Sequence, residues 1–338
     1  MHIIYTERHK QHATDQVLFE GHPFDTEEVP ARAEIILQAV REAHLGQVSA
    51  PVDHGIEPVL AVHDAGFVDF LRTVYTKYAA YFKTDEPVFT WTFATRCVGR
   101  KPEGFLGLMG YYGTGAGTPV LKGTWEAAYW ATQCALSAAD RVRAGERAVY
   151  ALCRPPGHHA AVDLYGGFCY LNNAAAVARY LQADGRVAVL DIDYHHGNGT
   201  QMIFYSDPGV LFCSLHAHPD DDYPYYWGGE GERGEGPGEG YSHNWPLPQS
   251  VDDARYLAVL DRALGVVDAF APRYLVVSAG FDILAGDPVG EFCVTTGGLS
   301  EIGRRIAALN LPTVIVQEGG YLLDALGESA VAFLRPYA

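Results

Sequence analysis

The sequence has few positively charged residues for its length. Lys and Arg together number 24 against 41 Asp and Glu, so the 338 residues carry a formal net charge of −17. Nucleic acids and anionic membranes are bound through positive surfaces, and this charge therefore argues against both as partners. It suits a cationic substrate, although a general gain in solubility explains it equally well.

Long apolar runs are also missing. No segment approaches the ~18 apolar residues that span a bilayer, and the N-terminus lacks the apolar core of a signal peptide. The six cysteines form no C-x-x-C pair, and those in apolar strands, Cys153 and Cys213 among them, are typical of buried free thiols. We therefore expect a cytoplasmic protein.

No linker, repeat or low-complexity tract divides the chain. α/β folds often run this long as one unit, so we expect a single domain over residues 1–338. Apolar segments of strand length alternate with segments of helical periodicity, which predicts a mainly parallel central sheet with helices on both faces. The predicted strands are 2–5, 148–152, 187–190, 274–278 and 313–316, and the predicted helices are 31–43, 65–80, 124–143, 172–183, 252–269, 297–309 and 323–334.

Two segments stand apart from this alternation. Residues 10–30 are polar and rich in His and acidic residues, and residues 82–118 are rich in Gly and aromatic residues with little periodicity. Irregular segments of this length within a domain usually serve a function, either as walls of an active site or as an assembly surface.

The most informative motif begins with the apolar strand Val187–Leu190, which is followed at once by Asp191, Asp193, His195 and His196. Residues two apart in extended chain share a face, so Asp193 and His195 can point at one ion. A carboxylate and an imidazole at this spacing suit a divalent metal, zinc above all. The alternative is a polar strand end whose histidines cap backbone groups.

Three other predicted strands end in polar turns of the same kind. Strand 148–152 leads to Arg154-Pro-Pro-Gly-His-His159, strand 274–278 to Asp282, and strand 313–316 to Glu318-Gly-Gly-Tyr321. In open parallel α/β sheets, ligands bind outside the carboxyl ends of the strands. The four turns therefore predict one active site.

In this order, the four turns resemble those of the histone deacetylase/acetylpolyamine amidohydrolase family over about residues 150–321. Weaker likeness reaches the N-terminus through Arg32-Ala-Glu34, Val62-His-Asp64 and Gly123-Thr-Trp-Glu-Ala127. The nearest branch looks like the bacterial acetylpolyamine amidohydrolases. The resemblance implies an arginase-like α/β domain and a zinc-dependent enzyme that releases acetate from a small acetylated polyamine or a related N-acetylated primary amine.

By this resemblance, one zinc ion is held by Asp193, His195 and Asp282. Three protein ligands leave positions open for water and for a substrate carbonyl, and zinc lowers the pKa of its water to roughly 7. Cleavage of an amide then needs a base for the water proton and an acid for the leaving amine.

The tandem histidines are the candidates for these proton transfers. The resemblance pairs His158 with Asp191 and His159 with Asn198. A carboxylate partner raises the pKa of an imidazole, whereas a neutral amide raises it much less. We therefore expect His159 to be the neutral base and then the acid, and His158 to act mainly through its charge. Tyr321 would donate its hydroxyl to the developing oxyanion.

The resemblance also implies tunnel walls and structural cation sites. Gly167, Phe168 and Tyr223 match positions that flank a linear acylated amine, and ordinary core aromatics are the alternative interpretation of the two rings. A structural potassium ion would be bound by Asp191, Asp193, His195, Ser214 and Leu215, and a second monovalent ion by residues that include Phe204 and Val210. His216 and His218 have metal-like spacing but no third ligand, a pattern more typical of a loop.

The acidic residues with which the polyamine branch meets the distal ammonium are replaced here. Their positions correspond to Leu106 and Gly117, with Glu103 nearby, and Asp220–Asp222 could take their place. A protein acetyl-lysine deacetylase with an open tunnel mouth is therefore an alternative.

Two other functions are weighed against deacetylation. A binuclear arginase-type ureohydrolase would need a carboxylate where this chain has Gly197. A non-catalytic sensor of acetylated amines would need neither the tandem histidines nor Tyr321.

The same resemblance predicts the quaternary structure. In the acetylpolyamine branch, insertions such as 10–30 and 82–118 pair two subunits and narrow the tunnel mouth. We therefore expect a homodimer that acts on small acetylated amines.

Overall fold

The computed structural model describes residues 1–19, 22–94 and 98–338. Its strands are β1 (His2–Ile4), β2 (Gln16–Phe19), β3 (His22–Asp25), β4 (Gln47–Ser49), β5 (Ala148–Ala151), β6 (Val187–Asp191), β7 (Val210–Ala217), β8 (Ser242–Leu247), β9 (Tyr274–Ala279) and β10 (Thr313–Gln317). Its α-helices are α1 (Ala31–Glu42), α2 (Glu57–Leu60), α3 (Ala65–Phe82), α4 (Phe105–Tyr112), α5 (Thr124–Arg143), α6 (Asn173–Gln182), α7 (Asn198–Phe204), α8 (Asp253–Phe270), α9 (Thr296–Ala307) and α10 (Leu323–Leu334).

Eight strands form one sheet in the order β4-β1-β5-β10-β9-β6-β7-β8. Every neighbouring pair in this sheet is parallel, whereas β2 and β3 form a separate antiparallel hairpin. The parallel sheet confirms the fold class predicted from the alternation of strands and helices.

The side chains of each central strand alternate between two apolar layers. In β6, Leu190 packs into the layer shared with α1, α8, α9 and α10, and Val189 packs into the layer shared with α5 and α6. A strand covered on both faces needs apolar side chains at nearly every position. This is why β5, β6, β9 and β10 were recognisable as continuous apolar runs.

The loop expected at 214–218 is wrong, because residues 214–217 belong to β7. This strand lies between β6 and β8, and all of its residues are buried. Its polar side chains satisfy one another, since Ser214 Oγ lies 2.8 Å from His216 Nδ1. A buried hydrogen-bonded pair therefore replaces the apolar residues that a sequence pattern would require.

The two segments outside the strand–helix alternation are partly regular. Residues 10–30 include the β2–β3 hairpin, and residues 82–118 include α4, which packs against α3 through ring contacts of Tyr112 with Phe67 and Phe70. A Cβ at Gly117 would lie 3.6 Å from the carbonyl oxygen of Leu18, so the two segments meet.

Within the described residues, no helix combines the length and the hydrophobicity needed to cross a bilayer. The cysteines described are free thiols, four of them buried (Cys134, Cys153, Cys169 and Cys213) and one exposed (Cys293). Cys97 lies outside the described residues.

Candidate active site

Four neighbouring strands deliver the candidate site residues to one edge of the sheet. In the order β5, β10, β9 and β6, these strands lie side by side, and all of them run in the same direction. The polar turns that follow them are therefore adjacent, as the position of ligands at the carboxyl ends of parallel strands requires.

The predicted metal ligands converge at this edge. Asp193, His195 and Asp282 each offer a ligand atom, and these atoms lie within 4.8 Å of one another. His195 Nδ1 is 3.2 Å from Asp282 Oδ2 and 3.4 Å from Asp193 Oδ1. All three side chains are buried, so bulk water does not solvate the carboxylate charges.

Backbone amides orient the two carboxylates. The N–H of His195 donates to Asp193 Oδ1 at 2.9 Å, and the N–H of Gly319 donates to Asp193 Oδ2 at 2.8 Å. Asp282 Oδ1 accepts from the N–H of Tyr194 at 2.9 Å, which leaves Oδ2 directed toward His195. The ligand atoms are thus held in place by the turn after β10 and by the turn after β6.

The electrostatics of this triad favour a bound cation. Burial and the neighbouring Asp193 carboxylate raise the pKa of Asp282 to about 7. Burial alone would lower the pKa of His195, but its hydrogen bonds to Asp193 and Asp282 outweigh burial and raise it well above its usual value. Two carboxylates and one imidazole are a donor set that fits a zinc ion.

The tandem histidines have different partners, as expected. His158 Nδ1 lies 3.0 Å from Asp191 Oδ2, and His159 Nδ1 lies 2.7 Å from Asn198 Oδ1. Burial alone would lower the pKa of His158, but the carboxylates of Asp193 and Asp191 raise it to about 10. Burial and the positive charge of His158 hold the pKa of His159 well below its usual value.

Tyr321 is held by both its backbone and its ring. Its N–H donates to Asp287 Oδ2 at 2.7 Å, and the guanidinium carbon of Arg32 lies 4.5 Å from the ring centroid. Burial raises the pKa of Tyr321 well above its usual value, so the hydroxyl remains protonated and able to donate. Asp287 was not recognised in the sequence, because an isolated acid after a Gly carries no motif.

A buried ion-pair network supports the Tyr321 turn. Arg32 donates to the carbonyl oxygens of Gly320 at 2.6 Å and Glu318 at 2.7 Å, and to Glu28 Oε1 at 2.9 Å. Arg154 donates to Glu28 Oε2 at 2.8 Å. The sequence marked Arg32 and Arg154 as parts of motifs, but it offered no signal for Glu28, which joins them.

Aromatic rings flank the tandem histidines and Tyr321. The Tyr223 ring lies 4.8 Å from the His159 ring and perpendicular to it, and the Phe168 ring lies 5.9 Å from the Tyr321 ring. Gly167 has a φ of +53°, and a Cβ there would lie 2.4 Å from His159 Cδ2. A side chain at Gly167 would therefore displace His159.

The residues implied for potassium lie on neighbouring strands. Asp191 pairs with Ser214 in the register of β6 and β7, which brings Leu215 next to the turn that carries Asp193 and His195. Phe204 ends α7 and Val210 begins β7 after a short turn, in which the carbonyl oxygen of Phe204 accepts a hydrogen bond from the N–H of Asp207 at 2.9 Å.

His216 and His218 do not join the metal-ligand triad. His216 Nδ1 lies near Ser214 Oγ, and its Nε2 lies 2.9 Å from the carbonyl oxygen of Gly228. His218 Nδ1 accepts from the N–H of Asp220 at 3.2 Å.

The position that an arginase-type site would use is closed. A Cβ at Gly197 would lie 2.1 Å from Asp191 Oδ2 and 3.4 Å from His158 Nδ1. A carboxylate at this position would displace the His158–Asp191 pair.

The three acidic residues Asp220–Asp222, which follow β7, differ in their contacts. Asp222 Oδ2 accepts from the hydroxyl of Tyr194 at 2.9 Å and is therefore engaged. Asp220 and Asp221 are exposed just before the tunnel-wall candidate Tyr223. Leu106 packs in the apolar layer around α3 and α4.

Known proteins are similar to this chain in sequence over most of its length. Residues 26–336 match the family model of the histone deacetylase domain. The chain is 42% identical over 339 residues to acetylpolyamine amidohydrolase 1 of Pseudomonas aeruginosa, covering 99% of this chain and 98% of that protein. It is 39% identical over 340 residues to the acetylpolyamine amidohydrolase of Mycoplana ramosa, covering 100% of both chains.

A solved structure is similar over the same length. The crystal structure of acetylpolyamine aminohydrolase from Burkholderia pseudomallei superposes with a TM-score of 0.95 at 41% identity, covering 100% of this chain and 98% of that chain. The resemblance inferred from the four turns is therefore confirmed.

Proposed function

The chain belongs to the histone deacetylase family, and we propose that it is a zinc-dependent deacetylase that cleaves small N-acetylated primary amines to acetate and the free amine. The observation that carries this proposal is the convergence of Asp193, His195 and Asp282 at the strand ends that also present His159 and Tyr321. The relatives named above are acetylpolyamine amidohydrolases that align with nearly the whole chain.

Asp193, His195 and Asp282 would hold the ion. A zinc ion bound there would supply the Lewis acidity that polarises the acetyl carbonyl and lowers the pKa of the attacking water.

The proton transfers are assigned to the chain's own residues. Neutral His159 accepts the water proton at Nε2, because its Nδ1 faces the amide oxygen of Asn198. As the water oxygen bonds to the carbonyl carbon, Tyr321 donates its hydroxyl to the oxygen that becomes negative. The C–N bond then breaks, His159 returns the proton to the amine nitrogen, and acetate and the amine leave. His158 remains charged and stabilises the negative charge that develops nearby.

The proposed substrate is a small acetylated amine, best represented by an acetylated polyamine. The net charge of −17 and the exposed Asp220 and Asp221 favour a second, cationic amine on the substrate. Phe168 and Tyr223 would hold the intervening methylene chain between their rings.

Protein acetyl-lysine deacetylation is a second candidate. It is favoured by Leu106 and Gly117, which offer no carboxylate where the polyamine branch carries acids. The test compares kcat/KM for an N-acetylated diamine, an acetyl-lysine peptide and an acetylated folded protein. We expect the diamine to be hydrolysed fastest, and faster turnover of the acetylated protein would contradict the proposal.

We also infer that the active form is a homodimer. Tyr81, Phe82 and Trp91 are 63%, 45% and 56% exposed, and their rings contact one another in an aromatic patch. Contiguous exposed aromatic surface of this kind marks an assembly interface. The partner subunit would then help to wall each tunnel and restrict it to slender substrates.

Structural potassium and a cytoplasmic location complete the proposal. Backbone oxygens of the β6 and β7 ends offer the hard ligands that potassium prefers. The free cysteines are consistent with a reducing compartment.

A further inference from the structure

A second group of metal-ligand side chains lies beside the proposed catalytic site. His158, Cys169 and Glu318 each offer a ligand atom, and these atoms lie within 4.8 Å of one another. All three side chains are buried. Across residues 1–19, 22–94 and 98–338, only this group and the Asp193–His195–Asp282 triad bring three such donors together.

His158 is oriented as metal-binding histidines usually are. Its Nδ1 lies 3.0 Å from Asp191 Oδ2, which places the ring proton between these two atoms. Histidines that bind metals commonly donate their other ring N–H to a carboxylate, which fixes the tautomer with a lone pair on the remaining nitrogen. Nε2 of His158 is therefore the nitrogen that can bind an ion, once the proton of the charged imidazole has left it.

Glu318 has one carboxylate oxygen without a partner. Its Oε2 accepts from the N–H of Gly157 at 2.7 Å and from the N–H of His158 at 3.2 Å. Its Oε1 has no hydrogen-bond partner, and water cannot reach it because the side chain is fully buried. An unsatisfied buried acceptor costs roughly 1–3 kcal/mol, which a bound cation would recover.

Cys169 completes a donor set that is softer than the proposed catalytic one. Its Sγ contacts the carbonyl oxygen of Gly167 at 3.3 Å, a weak hydrogen bond that a metal can displace. Thiolate, imidazole and carboxylate together suit zinc and cadmium rather than magnesium or calcium.

We propose that His158, Cys169 and Glu318 form a second, weaker site for a thiophilic divalent ion, and that an ion bound there inhibits the enzyme. Binding replaces the thiol proton of Cys169 and any proton on Nε2 of His158 by the metal, and these protons are released to solvent. The inhibition follows because an ion on Nε2 of His158 would lie beside Asp193, a proposed ligand of the catalytic ion, since these two atoms are only 3.8 Å apart.

Two physical reasons make this site the weaker one. Burial raises the pKa of Cys169 well above its usual value, so forming the thiolate opposes binding. The two sites are also close, since Nε2 of His158 lies 3.8 Å from Asp193 Oδ1, and divalent ions bound to such neighbouring groups repel each other.

The test is a metal titration with a spectroscopic readout. The parent protein carries Cys97→Ala and Cys293→Ala, which removes the exposed thiol and the one outside the described residues. After loading with one equivalent of zinc, cadmium is added and the near-ultraviolet absorption of a cadmium–thiolate bond is followed together with deacetylase activity. We expect about one further equivalent to bind, with the absorption and the loss of activity developing over the same concentration range.

Cys169→Ala should remove the new absorption and raise the inhibitory concentration at least ~10-fold, since even an outer contact to a metal ligand is worth that much. Cys213→Ala is the matched control, because this buried thiol lies outside the group and should leave both signals intact. If the alanine variant is unstable, Cys169→Ser replaces it in the test. Serine nearly keeps the side-chain volume and removes the thiol, so the same two results are expected.

The proposal is overturned if no thiolate absorption develops beyond the first equivalent, or if a bound second ion leaves activity unchanged. Equal inhibition of the Cys169→Ala variant and its parent would overturn it as well. The absorption does not depend on turnover, so it separates this proposal from a failure of the proposed substrate or reaction.

Discussion

At the residue scale, the two adjacent histidines should contribute unequally to catalysis. His159→Ala should lower kcat by at least ~100-fold, because the neutral imidazole beside Asn198 is the group able to accept a proton. His158→Ala should lower kcat less, because its role is to supply charge. Steady-state rates of both variants, with circular dichroism as the check of folding, measure this difference. Equal and mild losses would contradict the assignment.

Tyr321 is expected to act only in the transition state. Tyr321→Phe keeps the ring beneath Arg32 and removes the hydroxyl, so kcat should fall on the order of 100-fold with little change in KM. Tyr165→Phe is a matched control, since its hydroxyl contacts Thr90 at 3.0 Å, away from the tandem histidines. A raised KM with unchanged kcat for Tyr321→Phe would assign the hydroxyl to substrate binding instead.

Asp282 should be required for metal retention. Asp282→Ala leaves two of the three proposed ligands, and we expect the variant to lose its zinc on dialysis together with its activity. Elemental analysis measures the bound metal, and about one zinc per chain is expected for the native protein. Asp261→Ala, at a half-exposed position on α8, serves as the control. Full zinc content in Asp282→Ala would remove Asp282 from the ligand set.

At the element scale, His63 joins the turn that carries the tandem histidines to the start of α6. Its Nδ1 lies 2.8 Å from the carbonyl oxygen of Ala161, and its Nε2 accepts from the N–H of Asn172 at 2.9 Å. Asn172 in turn caps α6 by accepting from the N–H of Ala175. A neutral imidazole is needed, because protonation would place a donor against the N–H of Asn172.

This contact predicts a loss of stability in mild acid. Burial lowers the pKa of His63 from 6.5 to about 4, so between these values the unfolded chain binds a proton that the folded chain does not. The contribution of neutral His63 to the free energy of unfolding is therefore complete above pH 6.5 and is lost as the pH falls toward 4. At pH 5 the loss amounts to about 2 kcal/mol. Urea unfolding at pH 7 and pH 5 measures it. His63→Gln should reduce the difference in the free energy of unfolding between pH 7 and pH 5. His22→Gln, at an exposed position, should leave that difference unchanged.

At the scale of the whole molecule, the aromatic patch should determine the oligomeric state. Replacing Phe82 and Trp91 by Ser removes exposed rings with 45% and 56% of their surface accessible, and we expect the proposed dimer to dissociate. Light scattering measures the mass, and kcat/KM for an acetylated diamine should fall if the partner walls the tunnel. Tyr226→Ser is the control, because this ring is 88% exposed outside the two segments. A native protein that is monomeric would contradict the proposal directly.

Much of the site was determined by the sequence alone. Strands that are buried on both faces must be apolar throughout, so β5, β6, β9 and β10 stand out, and the polar groups that follow them are conspicuous. The sharing of a face by residues two apart then pairs Asp193 with His195. Local rules of this kind need no knowledge of which strands are neighbours.

Tertiary structure decided the remaining features, because they depend on residues far apart in the sequence. Glu28 lies 126 residues from Arg154, and only the packing of the N-terminal segment against the sheet brings the two together. Strand β7 was missed because its polar side chains are satisfied by a partner that a local pattern does not reveal. The same holds for the approach of Cys169 and Glu318 to His158, which depends on the order of strands in the sheet.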